Sequence, residues 1–447
     1  MIGSVLPVPI ADTVNLMPTN RHRLHRLVFV WLLLGPILFF AGHGTFFFEN
    51  GAGNNLLGGS YSTLATVQSD AESRNQLLEQ SVIFGFIILV MAPVWIRITR
   101  LLRRNKIFLA LMALTVTSIV WSQFPTTTLR FSIYFIIDTL FAFYLATRFE
   151  PREQIELFQM TGWLAIIFSL IVVLAMPQYG IDHREGLQAW EGIFPQKNSC
   201  AIMVTLFLAG VRFLEPTSLY GKLTRTVYTL LALLLIGMSQ SRTGWLLCGA
   251  LMLFVFVFEM ALKCSPRTRM LLLFIFLLIC IPTTAFIGLN LASILPLLGK
   301  NATFTGRTEI WTAVFQEIMK HPVVGYGFHA FWGRGLNGEA TNIALSTGWV
   351  LAHSHNGFLD IWLDLGAVGL CLVLLSFLQA FKNAVICLRG KPSRYIGWYI
   401  AIVVLTLLGN LDERTLLYPN FLEWIMYIMA CVGLANEAKR VNSKEFA

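Results

Sequence analysis

The chain has 447 residues, of which 56% are hydrophobic and only 13% charged, and its mean hydropathy is +0.67; a soluble domain would carry about 25% charged residues. The net charge of +9 is no argument for nucleic acid, because in so apolar a chain the informative quantity is where Lys and Arg fall between the apolar runs. The expectation is an all-α polytopic inner-membrane bundle, a single membrane domain over residues 1–447.

The first apolar run, 27–41, follows Arg21, Arg23 and Arg26 and has no small-residue cleavage site after it. It reads as a retained helix rather than a signal peptide. Eleven further runs, at 81–96, 107–122, 131–147, 157–176, 199–213, 227–240, 244–262, 270–290, 359–381, 396–410 and 421–435, bring the expected spans to about twelve. The seven cysteines lie in or beside these runs with no CxxC spacing, which suggests neither disulfides nor a metal site.

With both termini cytoplasmic, twelve spans put RITRLLRRNK (97–106), Arg148, Arg152, Arg212, Lys222, Arg225, Lys263, Arg267, Arg269 and the Lys382–Arg394 connection inside. That is the positive-inside bias. The long connections 43–80, 177–198 and 291–358 then face the periplasm, with His43, His183, His321, His329, His353 and His355. Cations and imidazoles above a bundle suit an anionic ligand presented from the bilayer. No GxxxxGK[ST] occurs, and no GxGxxG after a strand, so ATP is not the expected energy source.

Four clusters carry chemistry. GIFPQKNSCA (192–201) places Lys197 and Asn198 where an outer connection enters the sixth run, a point charge suited to phosphate beside a donor–acceptor amide, or an interface anchor. SQSRTGWL (239–246) holds Arg242 in a tight hairpin with little polar sequence around it; either it has a partner or ligand, or it snorkels to headgroups. In the 291–358 loop, apolar Ile310, Trp311, Val314, Phe315, Ile318 and Met319 predict an amphipathic helix over Thr308–Lys320 with Thr308, Thr312, Gln316 and Lys320 outward, stopped by HPVVGYG (321–327). Arg307 stands at its N-terminus, where free N–H groups also attract anions; the same loop carries Arg334. Finally AHSHNGFLDIWLDLG (352–366) sets His353, His355 and Asn356 at the mouth of the tenth run, where an imidazole suits a general base. HSH also reads as two metal ligands, but no further His or Cys stands at ligand spacing. Asp138, Asn410 and Glu413 are further polar residues placed toward the same interior.

These clusters resemble the O-antigen ligase and Wzy-type polysaccharide polymerase superfamily, nearest its rhizobial-type exopolysaccharide polymerases. The matching residues are Gly192, Phe194, Lys197, Asn198 and Ala201; Ser241 to Gly244; Thr305 to Trp332; His355 to Gly369; and Asn410 to Glu413. The resemblance implies a GT-C-like architecture and a metal-independent, inverting glycosyl transfer on the periplasmic side, without cofactor. It implies an undecaprenyl-diphosphate-linked oligosaccharide donor, a glycan or lipid A-core acceptor, and a flippase and chain-length regulator as pathway partners. Arg242, Arg307 and His355 would be catalytic, the arginines on the diphosphate and the histidine on the acceptor hydroxyl. Lys197, Asn198, His353, Asn356, Arg334 and Glu413 would bind substrate. A polymerase of repeat units is favoured over a ligase because GRTEIW, GYGFHAFW and HNGFLD look closer to the exopolysaccharide branch. A secondary transporter is the reading from another class, but transporters usually carry internal repeats and midplane sites, and no repeat relates the two halves here.

Overall fold

The computed structural model describes residues 20–42, 70–183, 188–216, 218–294, 307–332, 338–348, 351–390 and 392–445. In chain order they form α1 (Asn20–Ala41), α2 (Asp70–Met91), α3 (Trp95–Arg104), α4 (Lys106–Thr117), α5 (Pro125–Arg148), α6 (Pro151–Ala175), the one-turn α7 (Pro177–Gly180), α8 (Lys197–Phe213), α9 (Leu219–Met238), α10 (Arg242–Leu262), α11 (Pro266–Ile294), α12 (Arg307–Lys320), α13 (Ala340–Thr347), α14 (Gly357–Arg389), α15 (Arg394–Gly409) and α16 (Leu422–Glu445). Between α7 and α8 a two-residue hairpin pairs β1 (Ile181–Asp182) with β2 (Ala189–Trp190), Ile181 opposite Trp190.

Each of the twelve apolar runs coincides with a helix, and the protein is a multi-pass helical membrane protein. By length and composition seven described helices qualify to cross a membrane: Leu78–Arg104, Pro125–Arg148, Pro151–Ala175, Leu219–Met238, Arg242–Leu262, Pro266–Thr284 and Gly357–Arg389. Three more are shorter apolar helices, Val28–Ala41, Lys106–Val120 and Arg394–Gly409. The other two expected spans differ for local reasons: α8 has 17 residues, and the second half of α16 is the charged NEAKRVNSKE.

The bundle is centred on α16. Its Leu422–Val432 stretch is buried throughout and packs on α5, α14 and α15. Trp424 stacks on Phe135 of α5 with ring centroids 5.1 Å apart, and Tyr427 meets Phe377 of α14 at 4.9 Å. Outer helices turn large apolar side chains outward, Leu89, Phe256, Phe274 and Leu230 among them, as lipid-facing surfaces require.

One irregularity sets up the far side of the site. α14 is broken at Gly366, which sits at φ 66°, and the HPVVGYG segment fills the break. Ala367 N–H donates to Pro322 O at 2.9 Å, while Tyr326 and Gly327 N–H donate to the carbonyls of Leu363 and Asp364 at 2.8 and 3.0 Å. A Cβ on Gly366 would stand 2.1 Å from Val323 O, so only glycine admits this strap. Backbone groups freed by the kink are thereby satisfied within the protein, as an apolar bundle demands.

α12 matches the expected amphipathic helix with one correction. Thr308, Thr312, Gln316 and Lys320 are exposed as expected, but so are Phe315 and Met319; the buried face is Ile310, Ala313, Val314, Glu317 and Ile318. The sequence stripe overlooked that Glu317 is taken inward by Tyr326, whose hydroxyl lies 3.2 Å from its carboxylate. This face forms a small second core with Tyr326, Phe331, Trp332, Ala340, Ile343 and Leu363. It seats α12 beside the start of α14.

Candidate functional site

Four helices begin at one place, and three of them begin on a cation. Lys197, Arg242 and Arg307 are the first residues of α8, α10 and α12, and Asn356 caps α14. α15 ends there too, followed by Asn410–Glu413. Helix N-termini present unpaired N–H groups and positive dipole ends, so the convergence is an anion-attracting arrangement before any side chain is counted.

Glu413 is the hub. Its carboxylate is 4% exposed and meets His355 Nδ1 at 3.3 Å, Arg307 Nη2 at 3.8 Å and His353 Nε2 at 3.8 Å. Asn198 Nδ2 donates to its Oε1 at 2.6 Å, and Ser241 Oγ donates to Asn198 Oδ1 at 2.8 Å. Ser241 also caps α10 by accepting from Gly244 N–H at 3.1 Å. The neighbouring Asp412 pairs with Arg307 and accepts from the Thr243 hydroxyl. Two adjacent acids thus tie α8, α10, α12 and the α14 turn together.

The HSHN turn is held from several sides. Asn356 Oδ1 accepts from Phe358 and Leu359 N–H at 3.1 and 3.2 Å, an Asn N-cap. Asp360 accepts from Ser354 N–H at 3.0 Å and from Trp332 Nε1–H at 2.8 Å, and Trp311 of α12 donates to Ser354 O at 3.0 Å. His355 is at φ 55°, a conformation uncommon for a non-glycine residue and frequent at functional sites. Gly357 follows because a Cβ there would stand 1.9 Å from Asn410 Oδ1.

The two histidines are not equivalent. His355 N–H donates to His353 Nδ1 at 3.2 Å, so the proton of neutral His353 sits on Nε2, toward Glu413. Burial, then the neighbouring His355, hold the His353 pKa down at about 3, against the pull of Glu413. It is neutral at neutral pH with both ring nitrogens facing partners. His355 instead points Nδ1 at Glu413 and is 30% exposed, which leaves Nε2 as the ring nitrogen without a partner among the described residues. Burial would push the Glu413 carboxyl up, but His355, His353 and Arg307 outweigh it and hold it down at about 2.

The cations divide as well. Arg307 is engaged by Asp412 and Glu413; burial lowers its pKa, Glu413 opposes, and the charge of Arg242 lowers it further. Arg242 and Lys197 are partly exposed and have no ion partner among the described residues. Arg334 lies outside the described residues. Asp138 does face the interior, but as an acceptor for Asn420 N–H at 2.8 Å, away from the hub.

His353, His355 and Glu413 have ligand atoms within 4.8 Å of one another, so the structure supplies the third donor that spacing alone did not. Glu413 Oε1 is already taken by Asn198 and approached by Arg307, and the nearby Arg307 and Arg242 cations favour an anion beside the cluster over a metal cation on it.

A family profile described as O-antigen ligase matches residues 227–374. The exopolysaccharide production protein ExoQ of Rhizobium meliloti (strain 1021) is 24% identical over 287 residues, covering 59% of this chain and 61% of the relative. The chain resembles the O-antigen ligase and Wzy-type superfamily. The profile's stretch contains Arg242, Arg307, His353, His355 and Asn356, whereas Lys197, Asn198, Asp412 and Glu413 lie outside it. Asn198, Asp412 and Glu413 reach the O-antigen-ligase-like stretch through the contacts above, and Lys197 precedes Asn198 at the start of α8. On the sequence alone Glu413 has a site role; Ser241 and Asp412 stand in the matched SRTG and NLDE stretches without one, and Trp311 and Asp360 are given none.

Proposed function

We propose that this protein is a membrane glycosyltransferase that moves a glycan from undecaprenyl diphosphate to a sugar hydroxyl at the periplasmic face of the inner membrane, as a polymerase of polysaccharide repeat units. The observation that carries this reading is Arg242, a guanidinium without an ion partner among the described residues, set beside Arg307 at converging helix N-termini and next to a carboxylate–imidazole pair.

In this reading Arg242, with Lys197 beside it, takes the diphosphate, and Arg307 completes the clamp. As the sugar C1–O bond breaks, negative charge grows on the departing phosphate, so guanidinium donors bind the transition state more tightly than the ground state. Glu413 accepts the Nδ1 proton of His355 and fixes its tautomer, leaving Nε2 to remove the acceptor O–H proton. This is the logic of a base oriented by a buried carboxylate. His353 is the neutral spacer that supports the His355 turn. Attack from the face opposite the leaving diphosphate inverts the anomeric centre, and the guanidinium groups supply the charge a metal ion would otherwise provide. Arg307, His353, His355 and Asn356 come from the long 291–358 connection, which in this reading faces outward with both termini cytoplasmic. A flippase that delivers the lipid-linked donor and a chain-length regulator fit as pathway partners.

The test is a strain lacking this chain, complemented at matched expression with wild type, Arg242→Ala, Arg307→Ala or His355→Ala, with surface and lipid-linked glycans resolved by length. Single lipid-linked repeats accumulating in the variants support the polymerase. Long chains kept on the lipid but absent from lipid A core would make it a ligase, and full activity in all three variants would overturn the site.

A further inference from the structure

Beside the hub, on the His353 side of Glu413, lies a cavity of about 40 Å³ between the start of α8 and the 413–421 segment. Arg242, Arg307 and His355 do not line it. Its wall includes Gln196, His353, Glu413, Thr415, Tyr418 and Phe421. Glu413 Oε1 is consumed by Asn198, His355 and Arg307, whereas among the described residues Oε2 has only His353 Nε2 at 3.8 Å, beyond hydrogen-bond range. Here is a carboxylate oxygen on a residue 3% exposed, with acceptor capacity left over and a polar space in front of it. Gln196 stands at the N-cap of α8 but makes no side-chain cap, so its carboxamide offers both a donor and an acceptor. The Tyr418 and Phe421 rings, with centroids 5.5 Å apart, give one apolar wall. Arg414 also lines the cavity; its Nη2 is engaged by Asp364 and His329, while its Nε has no hydrogen-bond partner among the described residues.

We propose that this cavity is a sugar subsite that seats one neutral, hydroxyl-bearing exocyclic group of a glycan, the hydroxyl donating to Glu413 Oε2 and bonding Gln196 while the carbon faces Tyr418 and Phe421. This rests on the glycosyl-transfer reading. The volume holds a small group of about three water molecules' size, and Glu413 Oε2 favours a hydroxyl donor there over an acceptor-only oxygen. The hydroxyl belongs either to the donor's sugar or to the acceptor's.

The experiment uses the full chain in lipid nanodiscs and lipid-linked glycan extracted from a host lacking it. Gln196→Ala removes one hydrogen bond and raises KM about 3- to 10-fold; Gln196→Trp, which fills the cavity, raises it further. In both, kcat and its pH profile stay as in wild type, which a merely structural defect would not leave intact. His355→Ala is the control for the underlying reading: wild-type turnover in that variant sinks glycosyl transfer at this site. With His355→Ala inactive, a wild-type KM in Gln196→Trp overturns the sugar subsite. Donor titration in the His355→Ala background separates the sources. Weaker donor binding on adding Gln196→Trp assigns the donor's sugar, and unchanged binding with raised KM assigns the acceptor's.

Discussion

Glu413 and Arg414 are adjacent in sequence and open into two charged clusters built to opposite ends. Arg414 turns into the protein, where it pairs with Asp364 and donates to His329 Nε2 at 3.0 Å, each of these side chains nearly inaccessible. Phe131 stacks on that imidazole with ring centroids 4.7 Å apart. Burial, then the Arg414 charge, hold His329 well below its ordinary pKa, so it is a neutral acceptor. Glu413 turns toward the helix mouths, where a partly exposed His355 and an Arg242 without an ion partner among the described residues leave bonding capacity open. A buried ion pair whose charges neutralise each other fixes geometry, here with Arg414 Nε and Asp364 Oδ1 left without a hydrogen-bond partner among the described residues; a cluster with a spare cation and a spare ring nitrogen waits for a ligand. The same residue types serve either end, and what separates them is whether solvent reaches them.

The sharpest way to break the contrast is to strike the open side. In the proposed reaction His355→Ala lowers kcat by about 10²- to 10⁴-fold, the usual contribution of a positioned base, and Arg242→Ala lowers it by about 10²- to 10³-fold. Both leave the thermal midpoint in detergent within a few degrees of wild type, read by scanning fluorimetry alongside turnover. A collapse in stability with either would place them in the closed cluster instead.

Arg414→Met should do the reverse. It leaves Asp364 buried without its counter-ion and destabilises by about 3–5 kcal/mol, seen as lost protein in the membrane and a lower unfolding midpoint. Activity per folded molecule changes less than in His355→Ala. Arg414→Met that folds as wild type but turns over no substrate would put this arginine at the reaction centre.

Between the clusters stands Gly357, where an added Cβ meets Asn410 Oδ1 at 1.9 Å. Asn410 Oδ1 also accepts from Thr415 and Leu416 N–H at 3.1 Å each, so it has little freedom to yield. Gly357→Ala costs about 1–3 kcal/mol and displaces the His355 turn, so both the midpoint and kcat fall. An unchanged kcat would show that the turn tolerates the shift.

The smallest effect is in pH. His353 is held at about 3, below the ordinary imidazole value of 6.5, so between those pH values the unfolded chain binds a proton that the folded chain does not. Its contribution to stability is complete above about pH 6.5 and is lost as pH falls toward 3. Glu413, held at about 2 from 4.5, acts in the same direction, its contribution complete above about pH 4.5 and lost toward pH 2. Unfolding midpoints should therefore decline on acidification from pH 6.5, and His353→Asn should flatten the stretch between about 6.5 and 4.5. An identical decline in that variant would move the titration to another group.

Much of this was legible in the chain. Hydropathy placed a helix under every apolar run, and Arg242, Arg307, His355 and Glu413 were singled out by polarity in the wrong place or by motif. The missing part is three-dimensional. Asp412 lies in the matched Asn410–Glu413 run and Asp360 on a helix, but nothing local shows what either holds, because their partners, Thr243, Arg307, Trp332 and Ser354, lie on other elements. HPVVGYG reads as a helix stop, yet its larger role is to fill the break at Gly366, which no periodicity reveals. Span number was harder still, since α8 and α15 are buried against neighbours and need neither full length nor a uniformly apolar surface.

The central claim is that the arginines hold the diphosphate and His355 does chemistry without holding it. Titrating the purified protein with undecaprenyl diphosphate tests this most directly, using wild type, Arg242→Ala, Arg307→Ala and His355→Ala. The account predicts that affinity falls at least tenfold in each arginine variant and stays at the wild-type value in His355→Ala, which nonetheless makes no polymer. Wild-type affinity in both arginine variants would contradict it.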